Sequence, residues 1–233
     1  MSTALLLLFD IDGTLLQRTS AEHSRALREA AARVHGLPRL DGEVEAAGRT
    51  DGAIVRDLLV ASGVSEADAD ARWGEVQAAA VSVFDELCPP DLSDRVAPGV
   101  IELLTALVGR AEEFRLSLVT GNLEPVARLK LDRAGIGRHF APGQGGFGSD
   151  HESRAALPPI ARARASEPPW PRERTVVIGD TPRDIACARA DGVRVAAVAT
   201  GPFAVEALAD ADAVVDDARS LLPVLEDFAA RAA

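Results

Sequence analysis

The sequence predicts an α/β protein, a Rossmann-like doubly wound parallel sheet with a small α-helical domain inserted after its first strand. Three observations lead there. Short, unbroken apolar runs end abruptly in polar loops, as strands buried on both faces of a parallel sheet do. Helix-length segments alternate with these runs through the second half of the chain. Between the first two runs the alternation stops, and only helical patterning is found.

Taken in order, residues 5–9 are five apolar residues, Leu5-Leu6-Leu7-Leu8-Phe9, closed by Asp10-Ile11-Asp12-Gly13-Thr14. They read as a buried strand running into a tight loop. Residues 21–35 form a strong amphipathic helix, and 51–62 and 65–87 continue in helical style. The inserted domain is bounded by Leu16-Gln17-Arg18 on one side and by the stretches Cys88-Pro89-Pro90 and Ala97-Pro98-Gly99 on the other. This assigns 17–94 to a helical cap, and 1–16 with 95–233 to a discontinuous core. A helix is expected over 100–110, and a strand over 116–119 that ends at Thr120-Gly121-Asn122. Helices follow over 125–134 and 154–165. The next strand, 175–178, runs into Gly179-Asp180-Thr181-Pro182, and a helix over 184–190 comes after it. Two more strands, 193–198 and 213–215, flank a short helical piece at 205–208. The glycines Gly143, Gly145, Gly146 and Gly148 read as turn glycines, because no Gly-Lys-Ser/Thr follows to make a phosphate loop. The run Pro168-Pro169-Trp170-Pro171 reads as a loop.

The 233 residues are 47% apolar and 26% charged, as in a globular chain with a real core. A net charge of −11 argues against a nucleic-acid binder, which needs a basic face. It also means that an anionic substrate must be met by a metal ion or by a few placed cations. Lys130 is the only lysine. Cys88 and Cys187 lie outside any metal-ligand spacing, which fits a reduced cytoplasmic protein with two incidental thiols. The apolar start has no basic flank and is cut off by Asp10, so neither a signal peptide nor a membrane span is expected.

In a parallel sheet the functional loops gather at the carboxyl ends of the strands, and three of these strands end in Asp, Thr or both. Asp10 and Asp12 put two carboxylates on one side of an ending strand. They repel each other unless a cation joins them or one stays protonated. A hard divalent cation such as magnesium takes oxygen ligands, often one or two carboxylates completed by substrate phosphate. Asp180 and Asp184 would supply the remaining acidity.

Asp10-Ile11-Asp12-Gly13-Thr14 resembles the first motif of the haloacid-dehalogenase superfamily of phosphohydrolases. Thr120 at a strand end is similar to the second motif, and Gly179-Asp180-Thr181-Pro182-Arg183-Asp184 to the fourth. The motifs stand in family order, and the helical segment resembles the cap that these enzymes insert after the first motif. The resemblance implies that Asp10 is a nucleophile forming an aspartyl-phosphate, a task an ionised carboxylate performs without a base. Asp12 would protonate the leaving oxygen and then deprotonate the hydrolytic water. Magnesium would be held by Asp10, the Asp12 main-chain carbonyl and Asp180, with Asp184 joining directly or through water. Thr120, with the N–H groups of Gly121 and Asn122, would bind phosphoryl oxygens.

The third motif departs from the family pattern, which has a lysine before the helix leading to the fourth-motif strand. Here Arg154 stands in that region and is the preferred cation; Lys130, on the helix after the second motif, is the rival. In the cap, Gly48-Arg49-Thr50-Asp51 resembles a loop that reaches the site in related sugar-phosphate enzymes. Arg49 is therefore a candidate for a second anionic group, against a helix N-cap beside Asp51 with a solvated arginine. His23 and Gln17 are further candidates for the cleft. The expected substrate is a small soluble phosphate ester, with neither nucleic acid nor membrane as partner.

Asp12 argues against a dehalogenase, which needs no leaving-group acid. The absence of lysine from 18–92 argues against a phosphonate-cleaving relative. A sugar-phosphate mutase uses the same four motifs and stands as the alternative. A phosphoacceptor signalling domain is about half as long and lacks the insertion. A non-catalytic scaffold need not keep Asp10, Asp12, Thr120 and Asp180 together.

Overall fold

The structure is a computed structural model and describes residues 4–232. Its strands are β1 (Leu5–Phe9), β2 (Phe114–Thr120), β3 (Gly146–Phe147), β4 (Thr175–Gly179), β5 (Arg194–Val198) and β6 (Ala213–Val215). They form one sheet in the order β3-β2-β1-β4-β5-β6, and every pairing is parallel. The helices are α1 (Ser20–His35), α2 (Asp51–Ala61), α3 (Glu66–Ala71), α4 (Trp73–Leu87), α5 (Val100–Val108), α6 (Glu124–Arg133), α7 (Leu157–Ala165), α8 (Pro182–Asp191) and α9 (Leu221–Arg231).

The all-apolar β1 sits mid-sheet with no exposed face, and alternate residues divide between two cores. Leu5, Leu7 and Phe9 join one core with Leu118, Ile178, Leu104, Val126, Leu131 and Leu225, under α5, α6 and α9. Leu6 and Leu8 join the other with Val177, Val195, Leu157, Ala161, Ile185 and Ala188, under α7 and α8. The strand order reverses at β1: the chain builds outwards to β2 and β3, then returns to the other side with β4. The carboxyl ends of β1, β2 and β4 therefore meet at a topological switch point, where such sheets bind ligands.

The helices α1 to α4 lie between β1 and β2 in sequence. The chain leaves and re-enters the sheet region side by side: Leu16 bridges Val96, Gln17 N–H donates to Arg95 O at 2.7 Å, and Ala97 N–H donates to Leu15 O at 2.9 Å. Arg18 sits in this neck with φ +56°, the one left-handed non-glycine among the described residues. α1 packs on α4 through Ala26, Leu27, Ala30, Ala80, Val83 and Phe84, continuous with the first core. No helix among the described residues is long and apolar enough to cross a membrane.

Three expectations needed correction, and one element was missed. The glycine-rich stretch holds a strand, because Gly146 and Phe147 pair with Val119 and Thr120 at the sheet edge. The segment 65–87 is two helices, broken at Arg72, whose backbone is non-helical (φ −105°, ψ 8°). The piece Val205–Leu208 is a single 3-10 turn. The terminal helix α9 had no counterpart in the sequence reading.

Candidate active site

The loop after β1 is anchored before it turns. Asp10 N–H donates to Ile178 O at 2.8 Å, tying the strand end to β4, and Gly13 adopts φ +94°, open to glycine at little cost. With Ile11 buried between them, the two carboxylates separate. Asp10 is 4% exposed and turns towards β4; the Asp12 side chain is 24% exposed and turns towards the inserted helices.

Asp180 follows β4 directly. Asp184 lies in the first turn of α8 and closes a capping box with Thr181, whose N–H donates to Asp184 Oδ2 at 3.0 Å. Carboxylate oxygens of Asp10, Asp180 and Asp184 all fall within 4.8 Å of one another. Asp180 Oδ1 accepts from the Thr14 hydroxyl at 3.0 Å, while Oδ2 is buried with no partner. Two glycines make room for this oxygen: a Cβ on Gly13 would lie 2.1 Å from it, and one on Gly201 1.7 Å. Burial, then the nearby charges of Asp10 and Asp184, push the Asp180 carboxyl up to about 8. Burial likewise pushes Asp10 up to about 6, against the pull of Arg154. Three crowded carboxylates with an orphaned oxygen and an all-oxygen donor set fit a hard divalent cation.

Arg154 enters from the 3-10 turn before α7. Its Nη2 lies 3.1 Å from Asp10 Oδ1 and also pairs with Asp184 Oδ1. The cation favoured from sequence thus meets the acidic cluster. Lys130 meets the other carboxylate. It projects from α6, is fully buried, and places Nζ 2.8 and 2.7 Å from the two Asp12 oxygens. Asn122 donates to Asp12 Oδ2 at 2.9 Å, and Thr19 donates to Asp12 Oδ1. Burial by itself would raise the Asp12 carboxyl; the adjacent Lys130 ammonium overrides this and holds it well below the usual carboxylate range.

The Lys130 ammonium also reaches Asn122 Oδ1 at 2.7 Å and His23 Nδ1 at 3.1 Å, so its three N–H groups are shared among four acceptors. An ammonium only donates, so His23 Nδ1 accepts and the ring proton sits on Nε2. That N–H points at Asp51 Oδ2, 3.0 Å away, which also accepts from Leu123 N–H at 2.8 Å. Asp51 N–H in turn donates to Gly121 O at 2.8 Å. A continuous polar chain therefore runs from Asp12 through Lys130 to residues of α1 and α2.

A cavity of about 590 Å³ opens over these groups and is lined by Asp10, Asp12, Thr120, Gly121, Asn122, Arg154 and Asp180 from the sheet side. Gln17, His23 and Arg49 line it from the insertion; Lys130 and Asp184 lie behind its wall. Thr120 is fully buried, with its hydroxyl 3.4 Å from Asn122 N. Arg49 donates to Ala53 O at 3.1 Å and pairs with Asp57 at 2.7 Å. The α2 cap is Thr50, whose hydroxyl accepts from Ala53 N–H at 3.3 Å. Sequence reasoning gave no role of their own to Asp51, Thr19, Thr14 and Gly201. Thr14 lies within the first motif, Thr19 soon after it and Asp51 within the cap loop 48–51, so all three could have been weighed; nothing local marks Gly201.

A family model described as haloacid dehalogenase-like hydrolase matches residues 7–189. A phosphoglycolate phosphatase from Rhodospirillum rubrum is 31% identical over 227 residues, covering 92% of this chain and 88% of that one. Among solved structures, CbbY from Rhodobacter sphaeroides in complex with phosphate superposes with a TM-score of 0.68 at 20% identity, covering 96% of this chain and 99% of that one. A β-phosphoglucomutase from Clostridium difficile gives 0.65 at 18% identity, covering 98% of each.

Proposed function

Because the chain belongs to the haloacid dehalogenase-like hydrolase family, we propose that it is a magnesium-dependent phosphatase in which Asp10 is the nucleophile and Asp12 the general acid and base. The observation that carries this reading is the meeting of Asp10, Asp12 and Asp180 at adjacent strand ends, on the floor of one cavity, with Asp180 Oδ2 left without a partner. Asp10, Asp180 and the Asp12 main-chain carbonyl, with Asp184 behind them, would hold magnesium, which supplies neutralisation of the facing carboxylate and phosphoryl charges.

Asp10 attacks phosphorus, the bond to the ester oxygen breaks, and Asp12 delivers the proton to that oxygen. Asp12 then takes a proton from water, whose oxygen attacks the aspartyl-phosphate and releases Asp10 and inorganic phosphate. Arg154 holds the Asp10 carboxylate in place and adds positive charge where the phosphoryl group arrives. Thr120, with the N–H groups of Gly121 and Asn122, receives phosphoryl oxygens. Lys130 serves by holding Asp12, since its donors are taken and it lies behind the cavity wall. With the Lys130 ammonium holding the Asp12 carboxyl well below the usual carboxylate range, Asp12 is suited to act as the base of the second step; in the first, it relays to the leaving oxygen a proton brought by a monoanionic ester.

Residues 17–94 act as a cap whose inner face meets the leaving group. The substrate is a small phosphate ester, and phosphoglycolate, named by the Rhodospirillum relative, belongs in any panel. The test measures phosphate release from such a panel with and without magnesium, for wild type and Asp10→Asn. Magnesium-dependent release lost in Asp10→Asn is expected; release that survives the substitution overturns the mechanism. Isomerisation of a hexose 1-phosphate without phosphate release would place the chain with the mutases instead.

A further inference from the structure

The cavity extends past the carboxylates along α1, and four arginines line it: Arg18, Arg28, Arg49 and Arg154. In a chain of net charge −11, surface and cleft guanidinium groups find carboxylates readily. Three of the four do: Arg18 lies 3.5 Å from Asp94, Arg49 2.7 Å from Asp57, and Arg154 3.1 Å from Asp10. Arg28 is the exception among the described residues. Its Nε reaches Ser24 Oγ at 3.4 Å and its Nη1 donates to Leu40 O at 3.2 Å. No carboxylate among the described residues lies within 4.0 Å of it, and Nη2 meets no acceptor among them. Two neutral contacts orient this guanidinium and leave its charge uncompensated.

Its surroundings point to a ligand. Ser20, Ser24 and Arg28 succeed one another every fourth residue on α1, so they share one helix face, and all three line the cavity. Val44, Ala46 and Ile54, also on its wall, are apolar. A rise of about 1.5 Å per residue places Arg28 roughly 7 Å farther along α1 than His23, whose ring contacts Lys130 beside Asp12. The cavity volume of about 590 Å³ lies within the range of pockets that enclose whole ligands of many atoms, far more than a two-carbon ester fills.

We propose that Arg28, seated by Ser24, is a specificity-determining subsite for a second anionic group at the far end of the substrate. The favoured substrates are then phosphate esters of several-carbon hydroxylated chains that end in a carboxylate or a second phosphate. Ser20 and Ser24 face the intervening hydroxyls, and Arg28 takes the terminal oxyanion through the paired donors that suit guanidinium to such groups. This rests on the phosphatase reading above.

The test is steady-state kinetics of wild type, Arg28→Gln and Arg28→Lys on four esters: p-nitrophenyl phosphate, a hexose monophosphate, the matching hexose bisphosphate and the matching phosphorylated sugar acid. Wild type is expected to show the lower KM for the two doubly anionic esters. Arg28→Gln should raise KM for those two by about ten- to a hundred-fold, the scale of a lost charge-assisted hydrogen bond. Its kcat, and its KM for the other two esters, should change less than about two-fold, and Arg28→Lys should recover part of the affinity. Whichever of bisphosphate and sugar acid shows the larger effect identifies the anion. An equal rise in KM for all four esters, or no wild-type preference for a second anion, overturns the subsite. If wild type turns over none of the four, the phosphatase reading fails on its own. Calorimetric binding of the bisphosphate to wild type and Arg28→Gln then decides the subsite, and equal affinities overturn it.

Discussion

Replacing Lys130 by methionine keeps the shape of the side chain and removes its charge and three donors. Lys130 is fully buried, and its ammonium is shared among Asp12, Asn122 and His23. Truncation leaves an unpaired carboxylate, an amide oxygen and a ring nitrogen facing a methyl group. Breaking one partner out of a buried ion pair costs about 3–5 kcal/mol. Water reaches the 24%-exposed Asp12 side chain, so the loss should fall near the lower end, about 3 kcal/mol. For a chain of this length that is a fall in Tm of roughly 6–12 °C, measured by scanning calorimetry. The kinetic effect should depend on the leaving group. With Asp12 no longer held, an alkyl phosphate that needs its leaving oxygen protonated should lose about 10²–10⁴ in kcat/KM. An ester of p-nitrophenol, whose leaving group needs little protonation, should lose far less. A Tm within about 1 °C of wild type, or equal losses on both esters, would refute the assignment of Lys130 as the residue that positions Asp12.

Further outcomes follow from the same geometry. The Asp180 carboxyl, raised from 3.8 to about 8 by burial and its acidic neighbours, stays protonated in the folded chain while the unfolded chain ionises. Cation-free protein should therefore lose stability as pH rises from about 4 to 8, by up to the order of 5 kcal/mol, and magnesium should flatten the curve; identical Tm profiles in chelator and in magnesium would contradict the metal site. Asp180→Asn removes that penalty, so cation-free Tm at pH 8 should rise while magnesium-induced stabilisation disappears; a variant that magnesium still stabilises as it does wild type counts against Asp180 as a ligand. In Gly121→Ala the new Cβ would lie 1.9 Å from Arg49 O, forcing α2 off the loop after β2. Such overpacking costs about 1–3 kcal/mol, and turnover should fall at least ten-fold; unchanged activity would show that this contact is dispensable.

The strands at the centre of the fold were readable because burial on both faces leaves unbroken apolar runs such as 5–9 and 176–178. β3 was not, since a two-residue edge strand carries no periodicity. α9 left a usable trace, the spacing of Leu221, Leu225 and Phe228, all buried, but the alternation of strands and helices places no demand for a helix after β6. Within the site, Asp10, Asp12, Asp180 and Asp184 were legible from their place at strand ends and a helix start. Arg154 and Lys130 were both legible as cations. Which carboxylate each would meet was not, because that depends on how α6 and the turn before α7 seat against the sheet. The roles of Asp51 and Gly201 escaped for the same reason: each acts on a distant part of the chain, Asp51 accepting from Leu123 N–H and Gly201 forming the wall beside Asp180 Oδ2.

The central claim is that Asp10 carries the phosphoryl group. Wild-type protein mixed with magnesium and a turned-over ester, quenched in acid and digested, should yield a peptide containing Asp10 that bears one acid-stable, base-labile phosphoryl group by mass spectrometry. Asp10→Asn should yield none. A phosphoryl group on another residue, or a burst of phosphate with Asp10 never modified at any quench time, would contradict the account.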